Sequence, residues 1–272
     1  MPTTVADVAA AVESLWPASG AEGWDAVGLV AGDPDAEVRR IHLAVDAVLD
    51  TVDEAVEASA DMLLVHHPLL LRGVTSVAED RYKGAVVSRL IRGGTALLAA
   101  HTNADVVETG TSAVLASRIG LADAAPIVAG ESPSRGLGRV GTLREPTSLG
   151  RLARALSDIL PPTAGGIRVA GDYDRAVSRV ALCAGAGDSL LGHPTVTGAD
   201  VYLTSDLRHH PASEAREAAL LGRGPALIDV SHWSAEWLWL ETAGEELRSA
   251  LPGVTVTVSE LRTDPWDFLI VQ

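Results

Sequence analysis

His66 and His67 stand side by side ahead of Pro68, and adjacent imidazoles leaving a strand can splay toward two different metal ions. The plainer alternative is a pair of loop histidines hydrogen-bonded to backbone. Pro68 restricts His67 to extended conformations, which helps to fix a ligand. Farther along, His101 and Asp105 lie four residues apart, as do His232 and Glu236. The first pair falls at a strand-to-helix turn, and helical spacing turns His232 and Glu236 toward one side. Each pair also has an ordinary alternative: Asp105 as the N-cap of a following helix, Glu236 as a carboxylate complementing a first-turn dipole.

Imidazole with carboxylate and without thiolate suits zinc, iron or manganese. One catalytic zinc uses three protein ligands and keeps a position open. The donors His66, His67, Asp105, His232 and Glu236 exceed that need, and two divalent ions roughly 3.5–4 Å apart account for the surplus. Such a pair would generate a hydroxide nucleophile near neutral pH and polarise the bond under attack. His209 and His210 are left over. One is a candidate general acid or base, the other a group that orients a ligand from behind, or both cap the turn before Pro211.

Other features carry less. Gly185-Ala186-Gly187-Asp188-Ser189 reads as an anion cradle or, more simply, as a tight turn into a helix. His42 inside a strand and His193 in a Pro-flanked loop read as structural, and Cys183 as core.

The elements that must position these groups alternate between short apolar strands and longer helical patterns. Strands are expected over 41–45, 62–65, 95–100, 139–143, 167–170, 179–183, 201–204 and 226–230, with a strictly alternating strand over 254–258 closing the chain. Helices are expected over 1–15, 49–60, 82–91, 111–119, 149–160, 213–221 and 235–251. Strand and helix in turn predict an α/β fold with largely parallel sheets. Residues 123–135, rich in Ala, Ser, Pro and Gly and without a clear period, mark a break. We therefore expect an N-terminal lobe over 1–128 and a C-terminal lobe over 129–272. Six of the eight histidines follow predicted strand ends, where ligands bind in open α/β sheets.

Composition excludes several classes. The formal charge of −15 disfavours general nucleic-acid binding and suits cations. Cys183 is the single cysteine, so thiolate zinc clusters and intramolecular disulfides are out. The first 15 residues lack the basic start and apolar run of a signal peptide, and no apolar run approaches the roughly 20 residues of a membrane span, so a cytoplasmic location is expected.

Several of these segments resemble the NIF-three-like dinuclear metal-centre proteins, whose bacterial members are described as GTP cyclohydrolase 1 type 2. The matching runs are Trp24 to Leu29, His66-His67-Pro68-Leu69, His101 to Asp105, Gly136 to Gly141, Cys183 to Gly187, Thr204 to His210 and Asp229 to Glu236. The resemblance implies that His66, His67, Asp105, His232 and Glu236 are the metal ligands, with Glu236 bridging and His101 beside the site. It also implies two related lobes with the metals in the cleft between them, and toroidal homohexamers. Ala26, Ser205 and Ser231 depart from the family's usual residues, as do Leu70 and Leu71, but none of these is a ligand.

Two functions follow as expectations. The first is a metal-dependent hydrolase that opens a nucleotide or other heterocyclic ring, as in a GTP cyclohydrolase, with His101, His209 and His210 as candidate catalytic residues. The second is a non-enzymatic, ring-shaped metal-binding scaffold. A phosphate-binding module built on Gly185 to Gly187 is a weaker third.

Overall fold

Thr4 and Asp7 start the first helix. The Thr4 amide donates to the Asp7 carboxylate at 2.8 Å and the Asp7 amide donates to the Thr4 hydroxyl at 3.2 Å, so α1 (Val5–Leu15) begins later than its apolar pattern suggests. The structure, a computed structural model, describes residues 2–130 and 132–271. Met1, at the start of the expected first helix, Glu131, inside the expected break, and Gln272 lie outside the described residues.

The chain divides into two compact units: Met1–Ala104 with Leu240–Thr263, and Asp105–Trp239 with Asp264–Gln272. In unit 1, β1 (Gly28–Ala31), β2 (Arg40–Ala44), α2 (Leu49–Glu57), β3 (Met62–Val65), α3 (Tyr82–Gly93) and β4 (Ala96–Ala99) follow α1. A strand near the far end of the chain, β13 (Thr255–Val258), completes a five-stranded sheet in the order β1-β4-β3-β2-β13. Its pairs are parallel except at the β1 edge. All residues of β3 and β4 are buried, which is why both read as unbroken apolar runs in the sequence. Val52 and Ala55 of α2 and Val86 and Leu90 of α3 pack into the same core as Leu63, Val65 and Leu97.

Unit 2 takes up the chain at the last residue of α4 (Thr102–Asp105) and continues through α5 (Thr111–Arg118), β5 (Leu121–Ala125), β6 (Val128–Ala129), β7 (Gly136–Leu137) and β8 (Arg139–Ser148). Then come α6 (Leu149–Ile159), β9 (Arg168–Ala170), β10 (Ala176–Ala186), α7 (Pro194–Thr197), β11 (Val201–Ser205), α8 (His209–Leu220), β12 (Ala226–Val230) and α9 (His232–Trp237). α10 (Trp239–Ala250) starts on the last residue of this segment. The six-stranded sheet has the order β5-β8-β10-β11-β12-β9, parallel at β10-β11-β12 and antiparallel on both flanks. The architecture is thus mixed α/β, as expected. Tyr202, Leu227, Cys183 and Val196 form its interior.

Several elements differ from the sequence reading. The expected break at 123–135 contains strand: β5 pairs with β8 and β6 with β7, so a boundary at 128/129 falls inside unit 2. The helix expected over 235–251 is two helices, interrupted at Leu238, and starts at His232 because the Ser231 hydroxyl accepts from the Ser234 amide. The strand over 255–258 does not close the chain, since residues 259–271 follow it without regular structure. Among the described residues no helix is long and apolar enough to cross a membrane.

Candidate metal centre

In unit 1 the C-terminal ends of β3 and β4 each deliver histidine. His66 and His67 leave β3, and His101 leaves β4 two residues beyond its end. The rings of His66 and His67 lie 5.1 Å apart, those of His66 and His101 5.1 Å, and those of His67 and His101 5.4 Å. Nitrogens of all three fall within 4.8 Å of one another, so one ion fits among them.

What fixes these rings is the partner of each Nδ1. His66, fully buried, donates from Nδ1 to the Ala100 carbonyl at 2.9 Å. His67 donates to Asp46 at 2.7 Å and His101 to Asp25 at 2.8 Å. A carbonyl or carboxylate only accepts, so each Nδ1 carries a proton. Metal-binding histidines show this backing. Asp25 is held in turn: its side chain is wholly buried and accepts from the Thr102 amide at 3.0 Å, the Thr102 hydroxyl and the Ala26 amide at 2.7 Å. Burial pushes its pKa up, but the Thr102 and His101 hydrogen bonds outweigh that and hold it below the usual carboxylate range.

Unit 2 holds Asp105, His232 and Glu236. Ser231 caps α9, and the first turn places His232 and Glu236 on one face, with Nε2 to Oε1 at 2.9 Å. The His232 Nδ1 donates to Asp206 at 2.6 Å, completing the pattern seen in unit 1. Asp206 follows β11 in the left-handed region at φ 58°, a conformation that Asp tolerates better than most residues. Asp105 accepts the Thr111 hydroxyl. Gly185, at φ 78°, leaves the space around the pair open: a Cβ there would lie 2.5 Å from Glu236 Oε1 and 3.2 Å from His232 Nε2.

These residues fit divalent metal. Burial alone would lower the His232 pKa, yet the charge of Glu236 and the Asp206 hydrogen bond raise it well above the ordinary value. Two carboxylates therefore call for positive charge at this point, which a bound cation can supply in place of the proton. The donors are imidazole and carboxylate throughout. Cys183 is buried, and its thiol is pushed up to about 12 by burial first and then by the charges of Asp105 and Glu236, so it offers no thiolate.

The remaining candidates fall elsewhere. His209 and His210 are exposed on the first turn of α8, their rings 5.2 Å apart, and neither belongs to a group of potential ligands among the described residues. His42 is structural, bonded to Thr257 and Glu54 at 2.8 Å each. His193 caps α7. The run after Cys183 is a turn into a short 3-10 helix, Asp188–Leu190, and its Gly185 is the open space described above. Within Gly136 to Gly141, Arg139 is buried and donates to the carbonyls of Gly136, Gly138 and Val107. Sequence reasoning missed Asp25 and Asp46 as backing groups. Asp46 follows β2, so the rule that found the histidines, polar groups at strand ends, also applied to it.

The chain is similar to known proteins over nearly its whole length. The Duf34/NIF3 (NGG1p interacting factor 3) family matches residues 3–265. A Streptomyces coelicolor protein named "GTP cyclohydrolase 1 type 2 homolog" is 47% identical over 269 residues, covering 96% of this chain and 93% of that protein. A Clostridium perfringens protein of the same name is 30% identical over 267 residues, covering 97% and 98%. Among solved structures, a hypothetical protein of Staphylococcus aureus superposes with a TM-score of 0.88 at 27% identity, over 99% of this chain and 100% of that one. A Bacillus cereus protein related to NIF3 shares the fold, with a TM-score of 0.87 at 22% identity over 98% and 99%. Matched over nearly its whole length, the chain belongs to the Duf34/NIF3 family.

Proposed function

We propose that the chain is a dinuclear metal-dependent hydrolase acting on a heterocyclic small molecule, a nucleotide such as GTP in the first instance. His66, His67, Asp105, His232 and Glu236 are its proposed ligands for two ions of zinc, iron or manganese. One observation supports the reading: His66, His67, His101 and His232 each commit Nδ1 to an oxygen acceptor, the backing that metal-binding histidines show. The shared name of the relatives, "GTP cyclohydrolase 1 type 2 homolog", supports the substrate class. Bound there, the ions would supply Lewis acidity and acidify a water. His101, backed by Asp25, would then hold or pass a proton on the substrate side, while Glu236, buried near the end of α9, is the candidate bridging carboxylate. His209 and His210 remain proposed proton carriers, accessible to solvent at the head of α8. The test is to incubate the metal-loaded chain with GTP and follow loss of the guanine absorbance. Turnover that disappears in His101→Ala supports the reading. No turnover on GTP or other purine nucleotides with any of the three metals would sink it.

A second reading, an assembling scaffold, is favoured by the C-terminal strip. Trp266, Phe268, Leu269, Ile270 and Val271 are 68, 78, 63, 72 and 88% exposed. Contiguous apolar surface of this kind marks an interaction site. Self-association, a homohexameric ring in the proposed form, would cover it. Light scattering should then show the full chain as an oligomer and a chain ending at Asp264 as smaller species. Equal masses would remove the strip from the interface.

A further inference from the structure

A cavity of about 480 Å³ opens in unit 2, between α6, the segment 160–167 and β9. It shares no residue with the proposed ligand set, and its volume lies in the range of small-molecule sites, roughly 300–1,000 Å³. Its walls combine an apolar part, with Leu160, Pro161, Ile167 and Val169, and a polar part centred on Arg154 and Tyr173.

The charge at this place is out of keeping with the molecule. The chain carries 36 acidic against 21 basic residues, yet no residue lining the cavity is acidic. Arg154 makes no ion pair among the described residues; its one hydrogen bond runs from Nε to the Tyr173 hydroxyl at 3.0 Å. That bond orients the guanidinium and leaves both terminal nitrogens to a ligand. Tyr173 is itself fixed. Its carbonyl accepts from the Gly150 amide at 2.9 Å, and its ring lies so close to Gly150 that a Cβ there would come within 2.2 Å of it. A planar fork held in place beside an apolar wall is the arrangement that recognises a carboxylate, sulfonate or phosphate joined to a hydrophobic body.

We propose that this cavity is a binding site for a small aromatic anion, with Arg154 holding the anionic group and the wall of Leu160, Pro161, Ile167 and Val169 holding the ring. The site is independent of the metal reading, and its test is run without metal so that the two can fail separately.

The full chain, treated with chelator, is titrated calorimetrically with 1-naphthyl phosphate, with 1-naphthol and inorganic phosphate in parallel. The site predicts one equivalent of 1-naphthyl phosphate bound at least tenfold more tightly than either fragment. Arg154→Met, which keeps the stem and removes the charge, should weaken binding at least tenfold. Ser157→Trp, at an exposed lining position of α6, should fill the space and abolish it. Thermal unfolding of each variant is read alongside, and both positions are exposed enough for the fold to persist. No binding at millimolar 1-naphthyl phosphate, affinity unchanged in both variants, or 1-naphthol binding as tightly as its phosphate would each overturn the proposal.

Discussion

Gly185→Ala tests the space around the His232–Glu236 pair through a single methyl group. Two costs are separable in the structure. The backbone at φ 78° disfavours any Cβ, a penalty of roughly 1–2 kcal/mol. The new methyl also lands 2.5 Å from Glu236 Oε1, so the carboxylate must retreat by about 1 Å to reach ordinary contact. Gly222→Ala isolates the first cost, because Gly222 has φ 73° and nothing within 4 Å of its would-be Cβ. Both variants should therefore lose stability in urea unfolding without metal, Gly222→Ala by roughly 1–2 kcal/mol and Gly185→Ala by more, or about 2–4 °C in Tm per kcal/mol. Only Gly185→Ala should also lose metal affinity, by about 10- to 100-fold, the range seen when ligand positioning is disturbed. Equal metal affinity in Gly185→Ala and Gly222→Ala would refute the argument that Gly185 is kept small for the ligands.

Asp25→Asn should weaken the clamp on His101 and Thr102 and cost about 1.5–3 kcal/mol in urea unfolding, as loss of hydrogen bonds to a buried charge does. Because the Asp25 pKa is held low in the fold, its contribution is present above the unfolded value near 3.9 and fades as pH falls through the folded value. Cys183 acts at the other end of the scale. Its folded pKa of about 12 lies above the unfolded value, so above about pH 9 the unfolded chain releases a proton that the folded chain keeps. Stability should then fall by up to about 1.4 kcal/mol per pH unit, a slope that Cys183→Ala removes, and the native thiol should resist alkylation at pH 8. Ser205 has a fully buried hydroxyl with no hydrogen-bond partner among the described residues, so Ser205→Ala should raise stability by about 1 kcal/mol. A loss of stability instead would show that the hydroxyl is engaged.

The parts of this molecule legible in its sequence are those where one local signal was enough. Met62 to Val65 and Ala226 to Val230 take the expected bounds because strands buried on both faces are written as continuous apolar runs. The i, i+4 pairing of His232 and Glu236 is likewise local, and the structure places the two side chains in contact. Elements that depend on distant partners were not legible. β5, Leu-Ala-Asp-Ala-Ala, has low strand propensity and becomes a strand only by pairing with β8. β1 is four residues long and lies at a sheet edge. The carboxylates behind the histidines reach them over long sequence separations, 76 residues for Asp25 and His101, so no spacing rule announces them. His209 and His210 follow a strand end and lie exposed on the first turn of α8.

The central claim is that these imidazoles and carboxylates hold two metal ions. Elemental analysis of chain purified without chelator, beside Glu236→Ala, tests it most directly. The account predicts about two transition-metal ions per wild-type chain and a sharp reduction in the variant. A wild-type chain that takes up no zinc, manganese or ferrous iron on reconstitution, or a variant with undiminished metal, would contradict it.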